Sequence, residues 1–325
     1  MKAIVCNEFG PLSDLEYKDL PDPEAGPGQV LIKVEACGVN YPDGLLVQGK
    51  YQVRPDRPFI PGSEVAGEIV ALGEGVTDRE VGQRVVGYAG QTGYASMAAI
   101  PAASTFLLPE GADAAEACAL IIAYGTSHHA LKQRAQLKPG ETLVVFGAAG
   151  ATGVAAVQIG KIMGATVIAV VSSEEKGKIA KECGADHVIG YEGLKDKVKE
   201  LTGGKGADVC YDVVGGEAFD AASRFMARNG RLLVIGFASG DIPKFPVNLA
   251  LVKEYAVVGV FWGNFTRAEP EVYAENMREL LDWFGSRTVK PIVAGRFPLK
   301  DAAEVLEKVL GRGGVGKFAL IPEGV

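Results

Sequence analysis

Short apolar runs bounded by glycine and proline characterise the first 120 residues. Runs rich in valine and isoleucine occupy residues 3–5, 30–37, 65–72 and 84–88. Their length and their boundaries are typical of β-strands, so the pattern predicts a β-rich domain built as a small barrel or sandwich. An alanine-rich stretch at residues 112–136 then predicts a helix.

From residue 142 onward, apolar runs alternate with helical stretches. The apolar runs lie at residues 142–146, 166–171, 187–189, 208–214, 231–235 and 256–261. They lack the alternation of polar and apolar positions, as expected for parallel strands covered by helices on both faces. The pattern therefore predicts an α/β protein with a doubly wound parallel sheet of six strands.

The C-terminal part has a different pattern. Apolar residues repeat with helical spacing at Tyr273, Met277, Leu280, Leu281 and Phe284. This spacing predicts a helix with one buried face. A second apolar stripe begins at residue 305 and a strand is predicted at residues 317–321. Because strict alternation has ended, we expect this part to rejoin the first domain.

A glycine-spaced turn joins the first strand of the predicted sheet to a helix. It reads Gly147-Ala148-Ala149-Gly150-Ala151-Thr152-Gly153, which is A-x-G-x-x-G from its second residue. A helix N-terminus offers free N–H groups and a positive dipole end to a pyrophosphate. Gly150 would let a phosphate approach the backbone, and Gly153 would let the helix lie close to the strand. The turn predicts dinucleotide binding by Gly150, Ala151, Thr152 and Gly153; the alternative is a tight turn without a ligand.

The end of the second predicted strand bears on the choice of dinucleotide. An acidic residue at this place bonds the ribose 2′-hydroxyl of NAD. Here Ser172 and Ser173 occupy the strand end, and Lys176 follows them. Small hydroxyl groups leave room for a 2′-phosphate, and lysine can neutralise its charge, so NADPH is predicted. The acidic Glu174, which lies between Ser173 and Lys176, argues against this choice. Alternatively, Ser173 caps a helix and Lys176 is a solvated surface charge.

Composition narrows the class of protein. The chain has 325 residues, of which 48% are hydrophobic and 22% charged, so it is globular and long enough for two domains. A net charge of −7 argues against nucleic-acid binding. Five scattered cysteines without a C-x-x-C pair indicate reduced thiols and a cytoplasmic location. Glycines interrupt the uncharged stretches and no secretory signal is recognised, so a soluble protein without membrane spans is expected.

In combination, several motifs resemble those of the zinc-free quinone oxidoreductases, the zeta-crystallin type of the medium-chain dehydrogenase/reductase superfamily. Besides the glycine turn, they are GVNYPD at 38–43, PGSEVAG at 61–67, YGT at 124–126, GADHVI at 184–189 and GADV at 206–209. The resemblance implies a GroES-like catalytic domain formed by residues 1–122 and 264–325. It also implies a Rossmann NADPH-binding domain at residues 123–263, with cofactor and substrate meeting in a cleft, and a homodimer formed through the strand at 256–261.

The resemblance also implies functional residues. Asn40 and Tyr51 are the polar candidates for substrate contact. Thr126 is expected beside the nicotinamide, unless it is only a hydroxyl at a helix start. The remaining implied cofactor contacts are Tyr191 and Arg312 at the 2′-phosphate, and Gly236, Phe237, Phe261, Trp262 and Gly263 near the nicotinamide. The alternative, favoured for each residue taken alone, is that Phe261 and Trp262 are core aromatic residues at a strand end.

The same comparison predicts that no metal is bound. Relatives with catalytic zinc carry cysteine where this chain has Asn40, histidine where it has Ser63, and a third ligand near Ile122. The cysteine-rich lobe of those relatives is missing as well, because no cysteine lies between Cys37 and Cys118. A tetrahedral zinc site is therefore not expected, and the two cysteines are interpreted as core thiols.

The absence of the zinc ligands determines the predicted chemistry. Without a Lewis acid a simple carbonyl or alcohol is hard to polarise, whereas a quinone is already electrophilic and its oxygen can be stabilised by hydrogen-bond donors. The leading hypothesis is an NADPH-dependent quinone oxidoreductase. One alternative is NADPH-dependent reduction of the C=C bond of an enone, an acrylate or an enoyl-CoA. Another is an NADPH-binding protein without catalysis. His128 and His129 are interpreted as packing or surface residues, since no Ser–His–Asp arrangement is evident.

Overall fold

Two compact units make up the chain. The computed structural model describes residues 1–311 and 313–323. One unit contains Met1–Ile122 and Met277–Val325, and the other contains Ala123–Asn276. The second division thus falls within a helix, after residue 276, whereas the resemblance suggested residue 263.

The strands are numbered in chain order. They are β1 (Lys2–Val5), β2 (Glu16–Asp19), β3 (Gln29–Val39), β4 (Glu64–Leu72), β5 (Arg84–Tyr88), β6 (Met97–Pro101), β7 (Thr105–Leu107), β8 (Thr142–Phe146), β9 (Thr166–Val170), β10 (His187–Ile189), β11 (Ala207–Asp212), β12 (Met226–Val234), β13 (Ala256–Gly259), β14 (Val293–Pro298) and β15 (Lys317–Ile321). The runs predicted at residues 84–88, 142–146, 187–189 and 317–321 match their strands residue for residue.

The α-helices are numbered in the same way. They are α1 (Tyr41–Val47), α2 (Ala114–Ala119), α3 (Gly125–His129), α4 (Ala151–Ile162), α5 (Glu174–Glu182), α6 (Leu194–Leu201), α7 (Gly216–Phe225), α8 (Asn248–Lys253), α9 (Trp262–Ala268), α10 (Pro270–Gly285) and α11 (Ala302–Leu310). Two π-helical segments, Leu120–Tyr124 and Ala130–Arg134, adjoin α3. The alanine-rich stretch is therefore helical as predicted, with wider turns than an α-helix.

The first unit is built on a seven-stranded sheet. Its order is β14-β15-β3-β4-β5-β7, with β6 also paired to β3, and β1 and β2 form a separate antiparallel pair. Strand β3 is the longest of this sheet and pairs antiparallel with β4, β6 and β15. Its buried residues, with those of β4, β5 and α11, form one apolar core. The predicted β-rich domain is thus confirmed.

The second unit contains a six-stranded parallel sheet. Its order is β10-β9-β8-β11-β12-β13, so consecutive strands run outward in both directions from β8. In such sheets ligands bind outside the carboxyl ends of the strands, where the order reverses. The predicted doubly wound sheet is confirmed, although the apolar run at 256–261 forms a strand only over Ala256–Gly259.

The helix predicted from the apolar stripe near the C-terminus is confirmed. All five apolar residues of the stripe between Tyr273 and Phe284 are buried on α10. Val305 and Leu306 of α11 are buried as well. Within the described residues, no helix combines the length and the apolar character needed to span a bilayer.

Candidate functional site

The glycine turn separates a buried strand from a helix start with accessible backbone. Strand β8 ends at Phe146, and Gly150 is the N-cap of α4. Gly150, Ala151 and Thr152 are partly exposed, whereas Gly153 is buried. Because the first N–H groups of a helix have no intrahelical acceptor, this accessible segment can bind an anion.

Gly153 is required by the packing of the turn itself. A β-carbon at this position would lie 2.1 Å from the carbonyl oxygen of Gly147. Gly147 has a φ of 61°, a left-handed conformation that suits glycine. A β-carbon at Gly150 would instead lie 3.4 Å from the same oxygen, an ordinary contact. Packing within the protein therefore accounts for glycine at position 153. It does not account for glycine at position 150, which stays available for the predicted approach of a phosphate.

A groove opens beside this turn, at the carboxyl ends of β9 and β10. Its volume is about 1350 Å³, and its lining includes Ser172, Ser173 and Tyr191. The Tyr191 hydroxyl accepts a hydrogen bond of 3.0 Å from the backbone N–H of Gly147. The structure thus brings three of the predicted cofactor residues to one groove and links the groove to the glycine turn.

The strand end carries the helix cap that was weighed as an alternative. Ser173 is the N-cap of α5, and its hydroxyl accepts from the N–H of Lys176 at 3.3 Å. The Lys176 ammonium group also donates to the hydroxyl of Ser172 at 3.3 Å. Both serines are exposed. Ser173 can therefore cap α5 and still contact a phosphate. The cap uses only a lone pair of its hydroxyl oxygen, and the exposed parts of both serines stay accessible to a ligand. This groove and the accessible helix start fit an anionic dinucleotide.

The other predicted cofactor contacts lie elsewhere in the second unit. Thr126 is half-buried in the first turn of α3, which continues directly from the π-helical segment Leu120–Tyr124. Gly236 and Phe237 lie in the loop after β12 and are partly exposed. The N–H of Gly236 points to the carbonyl of Asp212 at 3.4 Å. Their contact with a nicotinamide stays a prediction.

The aromatic pair at the end of the sheet divides into one exposed ring and one core ring. The Phe261 side chain is 53% exposed, whereas Trp262 is only 7% exposed. Trp262 packs edge-on against Tyr273 with 5.7 Å between the ring centroids. Gly263 is partly exposed in the first turn of α9. Arg312, predicted at the 2′-phosphate, lies outside the described residues.

In the first unit, the predicted substrate residue Asn40 belongs to a buried polar cluster. This cluster consists of Asn40, Asp43, Ser63, Glu64, Tyr94 and Lys317. Lys317 and Glu64 are 1% and 0% exposed and form an ion pair. The Lys317 ammonium group also donates to the Asn40 side-chain oxygen at 2.7 Å. A buried charge pair of this kind needs further hydrogen bonds to offset its desolvation.

Within the buried polar cluster, Asp43 connects the backbone of Asn40 to the side chains of Tyr94 and Ser63. One of its carboxylate oxygens accepts from the Asn40 backbone N–H at 2.9 Å and from the Tyr94 hydroxyl at 2.8 Å. The other accepts from the Ser63 hydroxyl at 3.0 Å. Burial raises the pKa of Asp43, and these donors oppose that shift. Burial likewise raises the pKa of Glu64, opposed chiefly by Lys317.

Asp43, Glu64 and Lys317 were not predicted as members of the site. One signal for Glu64 was present, because Gly38 interrupts the long apolar strand β3 opposite it. A β-carbon at Gly38 would lie 1.9 Å from the Glu64 carboxylate, so glycine makes the room for that group. A glycine inside a strand marks such a close approach. For Lys317 and Asp43 the sequence held no comparable signal.

Residues at the expected zinc positions do not fit a zinc ion. Asn40 accepts from an ammonium group, and Ser63 donates to a carboxylate. Ile122 offers no ligand side chain, and only its backbone N–H reaches the Glu64 carboxylate, at 3.2 Å. Zinc prefers thiolate, imidazole and carboxylate ligands, and here a lysine cation already holds the polar groups. Among the described residues, no group of three or more His, Cys, Asp or Glu side chains is arranged to hold a metal ion.

The remaining candidates have structural surroundings. Tyr51 is half-buried against the core of the first unit, and burial raises its pKa. Cys37 and Cys118 are fully buried thiols, as interpreted from the sequence, and burial raises the pKa of Cys37 to about 12. His129 is buried and stacks on Phe265 at 3.8 Å, which confirms its packing role.

Comparisons with known proteins agree with this architecture. The family profile described as alcohol dehydrogenase GroES-like domain matches residues 26–110, and that of zinc-binding dehydrogenase matches residues 151–284. The quinone oxidoreductase-like protein 2 homolog of Nematostella vectensis is 39% identical, over 98% of this chain and 88% of that protein.

Two solved structures are similar over almost the whole chain. The quinone oxidoreductase of Thermus thermophilus, solved also as its NADPH complex, has 35% identity and a TM-score of 0.86, covering 99% of this chain and 100% of that one. The Escherichia coli quinone oxidoreductase complexed with NADPH has 28% identity and a TM-score of 0.92, with the same coverage. At this level of similarity the chain belongs to the quinone oxidoreductases of the medium-chain dehydrogenase/reductase superfamily and is an oxidoreductase.

Proposed function

We propose that the protein is an NADPH-dependent quinone oxidoreductase that works without a metal ion. The observation that carries this proposal is the buried polar cluster, in which a lysine cation and hydrogen-bond donors stand where zinc ligands would be needed. Such a site can stabilise negative charge on an oxygen but offers no ligand set for a Lewis acid. It therefore suits an acceptor that is electrophilic by its own electronic structure.

NADPH would be held by the second unit. The accessible helix start at Gly150–Thr152 would bind the pyrophosphate, and the groove with Ser172, Ser173 and Tyr191 would receive the adenosine end. The family and the NADPH complexes of the two bacterial relatives support this choice. When bound, NADPH supplies a hydride and becomes NADP⁺, and a quinone that takes up this hydride and one proton from water becomes a hydroquinone.

The first unit would bind the acceptor oxygen. Asn40 is the donor that the buried polar cluster holds for this purpose, and Tyr51, half-buried after α1, would line the same region. The support is the position of Asn40 at the head of α1 with Lys317 behind its amide oxygen. A quinone oxygen that gains negative charge would form a stronger hydrogen bond to such a donor.

The experiment is a turnover assay with defined acceptors after treatment with a metal chelator. We expect NADPH oxidation with menadione, benzoquinone or duroquinone, with hydroquinone as product and no loss of rate after chelation. Asn40→Ala should lower kcat/KM at least roughly tenfold. Saturated product from methyl vinyl ketone with no quinone turnover would instead support reduction of a C=C bond. Tight NADPH binding without turnover of any acceptor would contradict the proposal.

A further inference from the structure

Lys317 determines which way the side-chain amide of Asn40 points. Its ammonium group lies 2.7 Å from the amide oxygen of Asn40. An ammonium group has three donors and no acceptor, so only the oxygen of the amide can face it. The amide NH2 group must therefore face the opposite direction.

That NH2 group is an unused donor. The Asn40 side-chain nitrogen is buried and has no hydrogen-bond partner among the described residues, and Asn40 as a whole is 7% exposed. A buried polar group without a partner is unfavourable, because it has given up its hydrogen bonds to water. A ligand atom that accepts a hydrogen bond at this nitrogen would remove that cost.

The ammonium group that faces the amide cannot easily move away. Lys317 is 1% exposed and paired with Glu64, which is itself fixed by the backbone N–H of Ile122. A cation at the amide oxygen also draws electrons from the NH2 group, which makes its hydrogens better donors. The orientation and the polarity of the Asn40 donor thus both depend on Lys317.

We propose that Lys317 is a positioning residue for the reduction, holding the Asn40 NH2 group toward the carbonyl oxygen of the acceptor. This inference rests on the proposed function and deepens it. The acceptor must carry an oxygen that accepts a hydrogen bond and gains negative charge during hydride transfer. Asn40 touches the substrate, whereas Lys317 acts through Asn40.

A double-mutant cycle tests the coupling between the two residues. Lys317→Met combined with Glu64→Gln removes both charges, so neither is left buried without its partner. In the wild-type background, Asn40→Ala should lower kcat/KM for duroquinone at least roughly tenfold. In the Lys317→Met/Glu64→Gln background the same change should cost less than about threefold, because the amide is no longer held by the ammonium group.

A second charge pair provides the matched control. Lys161 and Asp186 form an ion pair of 2.7 Å on the second unit, far along the chain from Asn40. In a Lys161→Met/Asp186→Asn background, Asn40→Ala should retain its full effect. NADPH affinity, followed by protein fluorescence, should stay unchanged in the Lys317→Met/Glu64→Gln variant. An equal loss from Asn40→Ala in all three backgrounds would overturn the proposal, since Lys317 would then have only a structural role.

A spectroscopic measurement on the wild-type protein does not depend on the folding of any charge variant. In protein labelled with ¹⁵N-asparagine, the side-chain pair of Asn40 is the one lost on substitution by alanine. It should shift when duroquinone is added with NADP⁺, where no turnover occurs. Absence of a shift would refute the proposal. If quinone shifts the pair but no acceptor is turned over, the proposed function fails while the contact of Asn40 with an acceptor oxygen stands.

Discussion

Asp212 is a buried carboxylate at the carboxyl end of β11. One of its oxygens accepts from the backbone N–H groups of Val214 at 2.7 Å and Gly215 at 2.9 Å. Burial nevertheless raises its pKa from the ordinary value to about 6, and these two donors only partly oppose the shift. Its ionisation therefore destabilises the folded state, because the unfolded state releases this proton at a lower pH.

The sign of this effect gives a pH-dependent prediction. The carboxyl group is neutral in both states only well below its ordinary pKa of 3.8; its cost to stability grows as the pH rises from there to the folded pKa of about 6, and it stays constant at higher pH. Asp212→Asn keeps the accepting oxygen without the charge. We expect this variant to gain on the order of 2 kcal/mol of unfolding free energy at pH 8 and much less at pH 4, measured by urea unfolding.

An exposed aspartate of the same unit controls for a general charge effect. Asp220 lies on α7 with an exposed side chain. Asp220→Asn should leave the pH dependence of stability as in the wild-type protein. If the difference in unfolding free energy between Asp212→Asn and the wild-type protein were the same at pH 4 and pH 8, the carboxyl group would not be desolvated as described.

The Tyr191 hydroxyl links the groove to the glycine turn through its hydrogen bond with the N–H of Gly147. Tyr191→Phe removes the acceptor of the Gly147 N–H, and a neutral hydrogen bond contributes about 0.5–1.5 kcal/mol. We expect the dissociation constant of NADPH to rise roughly 3- to 10-fold, measured by fluorescence titration. Tyr17→Phe is the matched control, since the buried Tyr17 hydroxyl has no hydrogen-bond partner among the described residues. Equal affinities in both variants would contradict the link.

Features that the backbone determines were easier to predict from the sequence than buried charges. The glycine turn and the serines after β9 were found because their roles depend on local order in the chain. The pairing of Lys317 with Glu64 joins residues more than 250 positions apart, and no periodicity records such a contact. The resemblance pointed to Asn40 but not to the cation that orients it.

The two glycines at the start of α4, Gly150 and Gly153, have different roles: one is predicted to make room for a ligand, and the other is required by packing within the protein. Gly153→Ala would place a β-carbon 2.1 Å from the Gly147 oxygen, so it should destabilise the protein, although alanine normally stabilises a helix by about 1 kcal/mol. Gly150→Ala has room in the protein and an extended backbone, with φ −74°. It should unfold like the wild-type protein but bind NADPH at least roughly tenfold more weakly, because its methyl group meets the phosphate.

Each variant serves as the control of the other. Thermal unfolding should show a loss of stability in Gly153→Ala but not in Gly150→Ala. NADPH titration should show a loss of affinity in Gly150→Ala. Normal NADPH affinity in Gly150→Ala would place the pyrophosphate elsewhere.

Strand positions could be predicted because buried parallel strands are uniform apolar runs with glycine or polar boundaries. The structure differs where tertiary contacts decide the end of an element. The run at 256–261 ends as a strand at Gly259 because the chain turns into α9, which buries Trp262 in the second unit. The π-helical segments beside α3 could not be read from an alanine-rich composition, since they share the composition of an α-helix.

Strand β13 is an edge of the six-stranded sheet, and no other strand of the described residues pairs with its outer side. It is the last strand in the sheet order, and its residues Ala256, Val257 and Gly259 are exposed. An exposed apolar edge invites pairing with another strand. We therefore expect the protein to form a homodimer through β13, as the family resemblance also implied.

One substitution on this edge tests the assembly. The N–H of Val260 points to β12, and alternation along the strand directs the N–H of Val257 outward, toward a partner. Val257→Lys should convert a particle of twice 34.1 kDa into one of 34.1 kDa in sedimentation equilibrium, because a charged edge resists pairing. Val81→Lys, at a 61% exposed valine of the first unit, should leave the mass unchanged. A wild-type protein that sediments as a monomer, or a Val257→Lys variant that stays dimeric, would exclude β13 as the interface.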